Sequence, residues 1–282
     1  TELSKKVVVF RNSIKCYVQH CNCEQSYAYA ISFKYSVPCC KATWRNILSE
    51  FISTVMLLLF GCMSCVPAEG IDTSIYGPFG FGFVVMINIQ IFGHISGAFM
   101  NPAVTLASVI WGNTSIGLGI IYVIVECAGA IVGYGILFVL SPIDLVTGGV
   151  CVTGPYPGLL PIQTLFIEIT LTAALSFVCM SVWDPINEKK QDSTSIKFGL
   201  TILGLSLVGG PLTGASVNPA RSLGPAIWTG HWKHHWAYWV GPFVDVCLSL
   251  SLYVPFQHIE ASDTTLSNRA QLFTNSYENR IW

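Results

Sequence analysis

The chain has 282 residues, of which 52% are hydrophobic and only 10% charged, with a formal net charge of −1 and a mean hydropathy of +0.58. That balance excludes an ordinary soluble domain, in which about a quarter of the residues are charged. The net charge itself says little; where the charges sit says more.

Residues 1–43 are polar, carry Cys16, Cys21, Cys23, Cys39 and Cys40, and show neither helical nor strand periodicity, so a disordered arm is expected there. They lack the continuous apolar core and small-residue cleavage site of a signal peptide. Cys21 and Cys23 have no partners at a metal-ligand spacing and read as unpaired thiols, whereas Cys39-Cys40 is a candidate for palmitoylation. Six long apolar stretches follow at 44–66, 77–95, 115–140, 162–183, 196–213 and 235–256. Each is near the ~20 residues that cross ~30 Å of hydrocarbon as a helix. A shorter apolar segment lies between the second and third stretches, and another between the fifth and sixth. At about ten residues each they are too short to span, and read as re-entrant half-helices shielded by protein or a water-filled cavity. Residues 257–282 form a polar tail.

Seven of the Lys and Arg residues lie within 1–45, three more (Lys189, Lys190, Lys197) follow the fourth stretch, and Arg269 and Arg280 lie in the tail. Connections 67–76 and 141–161 have none. The positive-inside bias places both termini in the cytoplasm, with Lys233 on the outer side, as an even number of spans requires. On that topology the sequon Asn113-Thr114-Ser115 faces the cytosol and is expected to stay unmodified.

The two short segments begin with the same tripeptide. Asn101-Pro102-Ala103 and Asn218-Pro219-Ala220 each follow Gly residues eight and four positions earlier (Gly93 and Gly97; Gly210 and Gly214) and a hydroxyl five positions earlier (Ser96; Thr213). Upstream, Glu50-x-x-x-Thr54 recurs as Glu168-x-x-x-Thr172, with Glu lying 51 and 50 residues before Asn. A duplication of this length in an apolar chain points to two inverted halves with a site between them at the bilayer midplane. The halves run over about 44–140 and 162–256, giving an expected fold of six transmembrane helices and two half-helices, all α. The motif glycines, like Gly129 and Gly133, read as small residues that let helices approach closely in lipid.

Asn is a strong N-cap and Pro is pre-set for the first helical position, so each tripeptide starts a helix. Two helix N-termini meeting at mid-membrane, each carrying roughly +0.5 of an elementary charge, repel cations. Free amide N–H groups of Asn101 and Asn218 could then donate to water or a polyol passing in single file, breaking a proton wire.

Residues 44–256 resemble an aquaporin (major intrinsic protein) throughout. The resemblance rests on Trp44-Arg45, Glu50, His94-Ile95-Ser96-Gly97, Asn101-Pro102-Ala103-Val104-Thr105, Asn218-Pro219-Ala220-Arg221-Ser222 and Trp239-Val240-Gly241-Pro242-Phe243. It implies a passive channel in the cell membrane, one pore per protomer of a homotetramer. Lipid, water and small neutral solutes are its partners, and nucleic acid, a cofactor and a metal are not expected. It also implies an outer constriction formed by Phe81, Ser206, Ala215 and Arg221, structural roles for Glu50 and Glu168 in holding the re-entrant loops, and a cytoplasmic pore lining that includes His94. Water-selective relatives usually have His where Ser206 stands, so the constriction should be wider here. The set is similar to that of the insect glycerol-conducting branch, the entomoglyceroporins. Water together with glycerol or urea is the favoured solute range, with strict water selectivity as the alternative and a junctional role further off. Nothing in the chain pairs a nucleophile with a base or cradles a nucleotide, so no enzyme is expected.

Glu126 and Asp245 are carboxylates inside apolar stretches, and the sequence assigns neither of them a partner. His231, His234 and His235, set among Trp232, Trp236, Tyr238 and Trp239, read as an interfacial aromatic belt rather than a metal site. A Cys at the Ala215 position, a common route for mercury, is absent, leaving Cys127, Cys179 and Cys247 as reactive candidates.

Overall fold

A computed structural model describes residues 44–253, and those residues are mainly helical. The arm, Cys39-Cys40 and the tail lie outside the described residues. Eight α-helices follow in order: α1 Trp44–Met63, α2 Thr73–Ser96, α3 Pro102–Trp111, α4 Ile116–Leu140, α5 Pro161–Trp183, α6 Thr194–Thr213, α7 Pro219–Thr229 and α8 Ala237–Tyr253. A 3₁₀ segment, Pro185–Ser193, joins α5 to α6. α1, α2, α4, α5 and α6 are long and apolar enough to cross a membrane. α8 is apolar and runs to the limit of the described residues. α3 and α7, with 10 and 11 residues, are the half-helices.

Local chemistry sets the ends. Asp72 caps α2 by accepting from the Ser74 N–H at 3.0 Å, and Ser115 caps α4 through the Leu118 N–H. Gly97, Gly112, Gly214 and Gly230 close α2, α3, α6 and α7 in the left-handed region that glycine enters without steric penalty. This corrects the packing role expected for the motif glycines. The N–H of Gly97 donates to the carbonyl of Gly93, and that of Gly214 to Gly210. Their four-residue spacing is therefore the terminal helical hydrogen bond. A Cβ on Gly210 would meet nothing within 4 Å, and one on Gly214 would lie 2.9 Å from the Cα of Thr153, so the close approach Gly214 allows is to a connecting segment and not to another helix.

Close helix approach is made elsewhere. A Cβ at Gly129 would lie 2.7 Å from the Phe51 carbonyl oxygen and one at Gly133 2.4 Å from that of Val55, so α4 packs directly on the α1 backbone, as expected. Gly82 and Gly199 do the same for α2 and α6, each meeting the other's carbonyl. α2 shows how the helices divide their surface. Phe79, Phe83, Ile87 and Ile91 form an exposed apolar stripe at four-residue spacing. Phe81, Val85, Ile89 and Gly93, two positions out of phase, turn to the opposite side and line an internal cavity.

Candidate pore and its two re-entrant loops

The segments before α3 and α7 are built alike. In each, two non-glycine residues have positive φ: Ala98 (49°) and Met100 (53°), then Ala215 (45°) and Val217 (45°). Such conformations cost on the order of 1 kcal/mol each and persist only where surroundings hold them. Here a buried carboxylate does so. Glu50 accepts from the N–H groups of Phe99 (3.0 Å) and Met100 (2.9 Å). Glu168 accepts from Ser216 (3.1 Å) and Val217 (2.9 Å), and from the Thr213 hydroxyl at 2.6 Å. The repeated Thr of Glu-x-x-x-Thr donates back to the Glu carbonyl at 2.7 Å in both halves.

Both asparagines cap as their sequence predicts. Asn101 Oδ1 accepts from Ala103 N–H, and Asn218 Oδ1 from Ala220 and Arg221 N–H. Their amide nitrogens, however, are not wholly free. Asn101 Nδ2 donates to the Val217 carbonyl and Asn218 Nδ2 to the Met100 carbonyl, each at 2.8 Å. An amide has two donor hydrogens, so one from each Asn ties its loop to the other loop and one is left over.

These groups line a cavity of 670 Å³. Along α2 it is bounded from Phe81 to Gly93, a helical run of about 18 Å at 1.5 Å per residue. α6 lines it in the opposite sense through Ser195, Phe198, Ile202 and Ser206, with the Ser195 hydroxyl donating to Gln90 at 3.3 Å. Asn101 and Asn218 also line it. At one end it is lined by exposed His94, Gln191 and Asp192. At the other stand Phe81, Ser206, Ala215 and Arg221. A second cavity, of 480 Å³, is lined by Phe81, Ser206 and Arg221 from its far side. The Arg221 guanidinium lies over the Phe81 ring, 4.6 Å from its centroid.

Outside comparisons agree with this architecture. The sequence profile of the Major intrinsic protein family matches residues 39–253. Aquaporin-4 of Mus musculus is 34% identical over 234 residues, 81% of this chain and 71% of its own. The chain belongs to the major intrinsic protein family, the aquaporins. Lens fiber major intrinsic protein of Ovis aries is 33% identical over 211 residues, covering 74% of this chain and 80% of its own. Among solved structures, the aquaglyceroporin from Plasmodium falciparum superposes with a TM-score of 0.66 over 76% of this chain and 98% of its own, and at 22% identity it speaks to fold alone. Aquaporin family members are passive membrane channels for water and small solutes, and this chain is one.

Several features of this aquaporin escape sequence reasoning. Cys62, in the last turn of α1, is disulfide-bonded to Cys151 in the connection between α4 and α5. The carbonyl of Cys151 accepts from Arg221 Nη1 at 2.6 Å. Both cysteines fall on the outer side in the topology drawn from Lys and Arg placement, an oxidising location, and that was the available signal. Cys65, half-buried and free, lines the second cavity. Cys127, Cys179 and Cys247 are free but line neither cavity.

The unassigned carboxylates also find partners. Asp245 accepts from the Ser176 and Ser249 hydroxyls, both at 2.8 Å, joining α5 to α8. Glu126 Oε1 accepts from the Thr105 hydroxyl at 2.6 Å, tying α4 to the first half-helix. Its Oε2 is buried with no hydrogen-bond partner. His234 Nδ1 lies 3.2 Å from the Thr164 hydroxyl, and His235 Nε2 accepts from the Trp239 indole at 3.2 Å. These histidines engage separate neighbours, and among the described residues no group of three or more His, Cys, Asp or Glu side chains is placed to hold a metal ion.

Proposed function

We propose that the chain conducts water together with small uncharged polyols or urea while turning back protons and ions. Phe81, Ser206, Ala215 and Arg221 form the selective constriction. The observation that carries this reading is that Phe81, Ser206 and Arg221 line both cavities and so make up the wall between them. The sides of that wall differ chemically. The Phe81 ring offers an apolar face to a carbon backbone, and Arg221 offers fixed donors to hydroxyl oxygens. Ser206 and Ala215 are small and leave width where an imidazole would intrude. The same filter is similar to that of the insect glycerol-conducting branch.

Cation exclusion has two layers. The Arg221 charge stands at the constriction, and the N-termini of α3 and α7 converge on Asn101 and Asn218 with their partial positive ends. The donor left on each Asn amide orients a passing oxygen. Glu50 and Glu168 act at one remove, fixing loop backbone rather than relaying protons, and His94 lines the cytoplasmic mouth. The channel domain is 44–256, with repeats over about 44–140 and 162–256 as the duplication implies. Both termini lie in the cytoplasm of a cell-membrane protein, so the Arg221 end faces outward. The exposed α2 stripe faces lipid or a neighbouring copy in a homotetramer.

The test is Ser206→His in proteoliposomes, with osmotic swelling and labelled glycerol uptake measured on the same preparation. The imidazole should cut glycerol flux steeply and leave water flux largely intact. Unchanged glycerol flux would show that Ser206 does not set the aperture.

A further inference from the structure

We infer that the Cys62–Cys151 disulfide is a positioning element for the filter arginine, holding the Arg221 guanidinium against the pore wall and out of the lumen. This rests on the filter reading given above. The Arg221 side chain is gripped from two directions: its Nη1 donates to the Cys151 carbonyl at 2.6 Å, and its guanidinium carbon lies over the Phe81 ring, 4.6 Å from the centroid. Both grips lead back to the last turn of α1. Cys62 anchors the segment that presents the carbonyl. Its neighbour Gly61 seats Phe81, since a Cβ at Gly61 would fall 2.6 Å from that ring.

The segment presenting the carbonyl would not hold this shape by local preference alone. Cys151 has a positive φ of 65°, which L-residues rarely adopt, and it lies in a connection with no regular helix or strand. Tyr134 donates to the preceding carbonyl, Val150, at 2.8 Å, and Thr153 donates to Ser222 at 2.8 Å. The disulfide fixes the residue between those two points, 89 positions from its partner in sequence. Opening it frees the carbonyl from its tether to α1 without removing the acceptor from the chain, so the acceptor can drift. A guanidinium with a wandering acceptor samples positions across the lumen, where it obstructs a polyol before it obstructs water.

The experiment uses the full chain in proteoliposomes. The protein is treated with dithiothreitol, its thiol state is verified by maleimide mass labelling, and glycerol and water permeabilities are measured on the same vesicles. Verified reduction should lower the glycerol-to-water ratio by about threefold, the size expected when one positioning hydrogen bond is lost. Reoxidation should restore it. Cys151→Ser retains the main-chain acceptor, so it should show the lowered ratio without reductant and no further response. Arg221→Val should raise the ratio, and reductant should then have no effect.

A ratio unmoved by verified reduction, with Arg221→Val still shifting it, would overturn the tether and spare the filter. Equal proportional loss of both permeabilities would reduce the disulfide to general fold support and equally overturn the inference. Arg221→Val leaving the ratio unchanged would instead sink the filter reading itself. Should Cys151→Ser fail to fold, reduction of the already folded protein carries the test alone.

Discussion

Replacing Glu168 by Gln changes one atom in a buried site and should be felt across the whole second loop. Glu168 Oε1 accepts from Ser216 N–H and the Thr213 hydroxyl, and Oε2 accepts from Val217 N–H. Whichever way a Gln amide turns, its NH2 confronts at least one main-chain N–H. The milder orientation abandons only Val217, losing a charge-assisted bond and leaving a buried donor unpaired. Together that costs about 2–4 kcal/mol. Val217 is also the left-handed residue (φ 45°) whose carbonyl receives the Asn101 amide, so the loss spreads to the link between loops. For a chain of this size the expected fall in the thermal midpoint is about 5–15 °C. Differential scanning fluorimetry in detergent and swelling per folded molecule would measure it. Glu50→Gln should behave alike, because Glu50 holds Phe99 and Met100 in the same way. A midpoint shift within about 2 °C and unchanged permeability would refute the claim that the carboxylates hold the loops.

Two Gly→Ala changes should move stability in opposite directions. Gly133→Ala places a Cβ 2.4 Å from the Val55 carbonyl oxygen and should cost about 1–3 kcal/mol by forcing α1 and α4 apart. Gly204→Ala, with nothing within 4 Å, should be neutral or stabilising by up to about 1 kcal/mol through helix propensity; thermal midpoints in one detergent compare them directly. Thr105→Val removes the hydroxyl that donates to Glu126, whose other oxygen already lacks a partner. It should destabilise by about 1–3 kcal/mol, read by the same midpoint. Mercuric chloride should slow osmotic swelling by binding Cys65 beside the second cavity, and Cys65→Ser should abolish that sensitivity without altering the untreated rate.

The helices were legible because length alone separates apolar runs near the ~20 residues that cross hydrocarbon from the two of about ten that do not. The loop anchors Glu50 and Glu168 were legible because a duplicated carboxylate inside apolar sequence needs a reason. The motif glycines misled, since a small residue every fourth position signals either close packing or the last helical hydrogen bond, and only the φ of Gly97 and Gly214 decides. The asparagine amides misled differently: a side chain with two donors can cap, link and face a pore together, and sequence does not apportion them. Cys62 and Cys151 stayed hidden because their 89-residue separation is closed by tertiary folding of a stretch with no periodicity.

The reciprocal Asn101–Val217 and Asn218–Met100 links have a consequence for how such a channel can change. Each half supplies the other's latch, so neither can shift without unseating both, and the waist behaves as a keystone. A change in what passes is therefore made with less disruption at the rims, where one side chain can be exchanged without disturbing the arch.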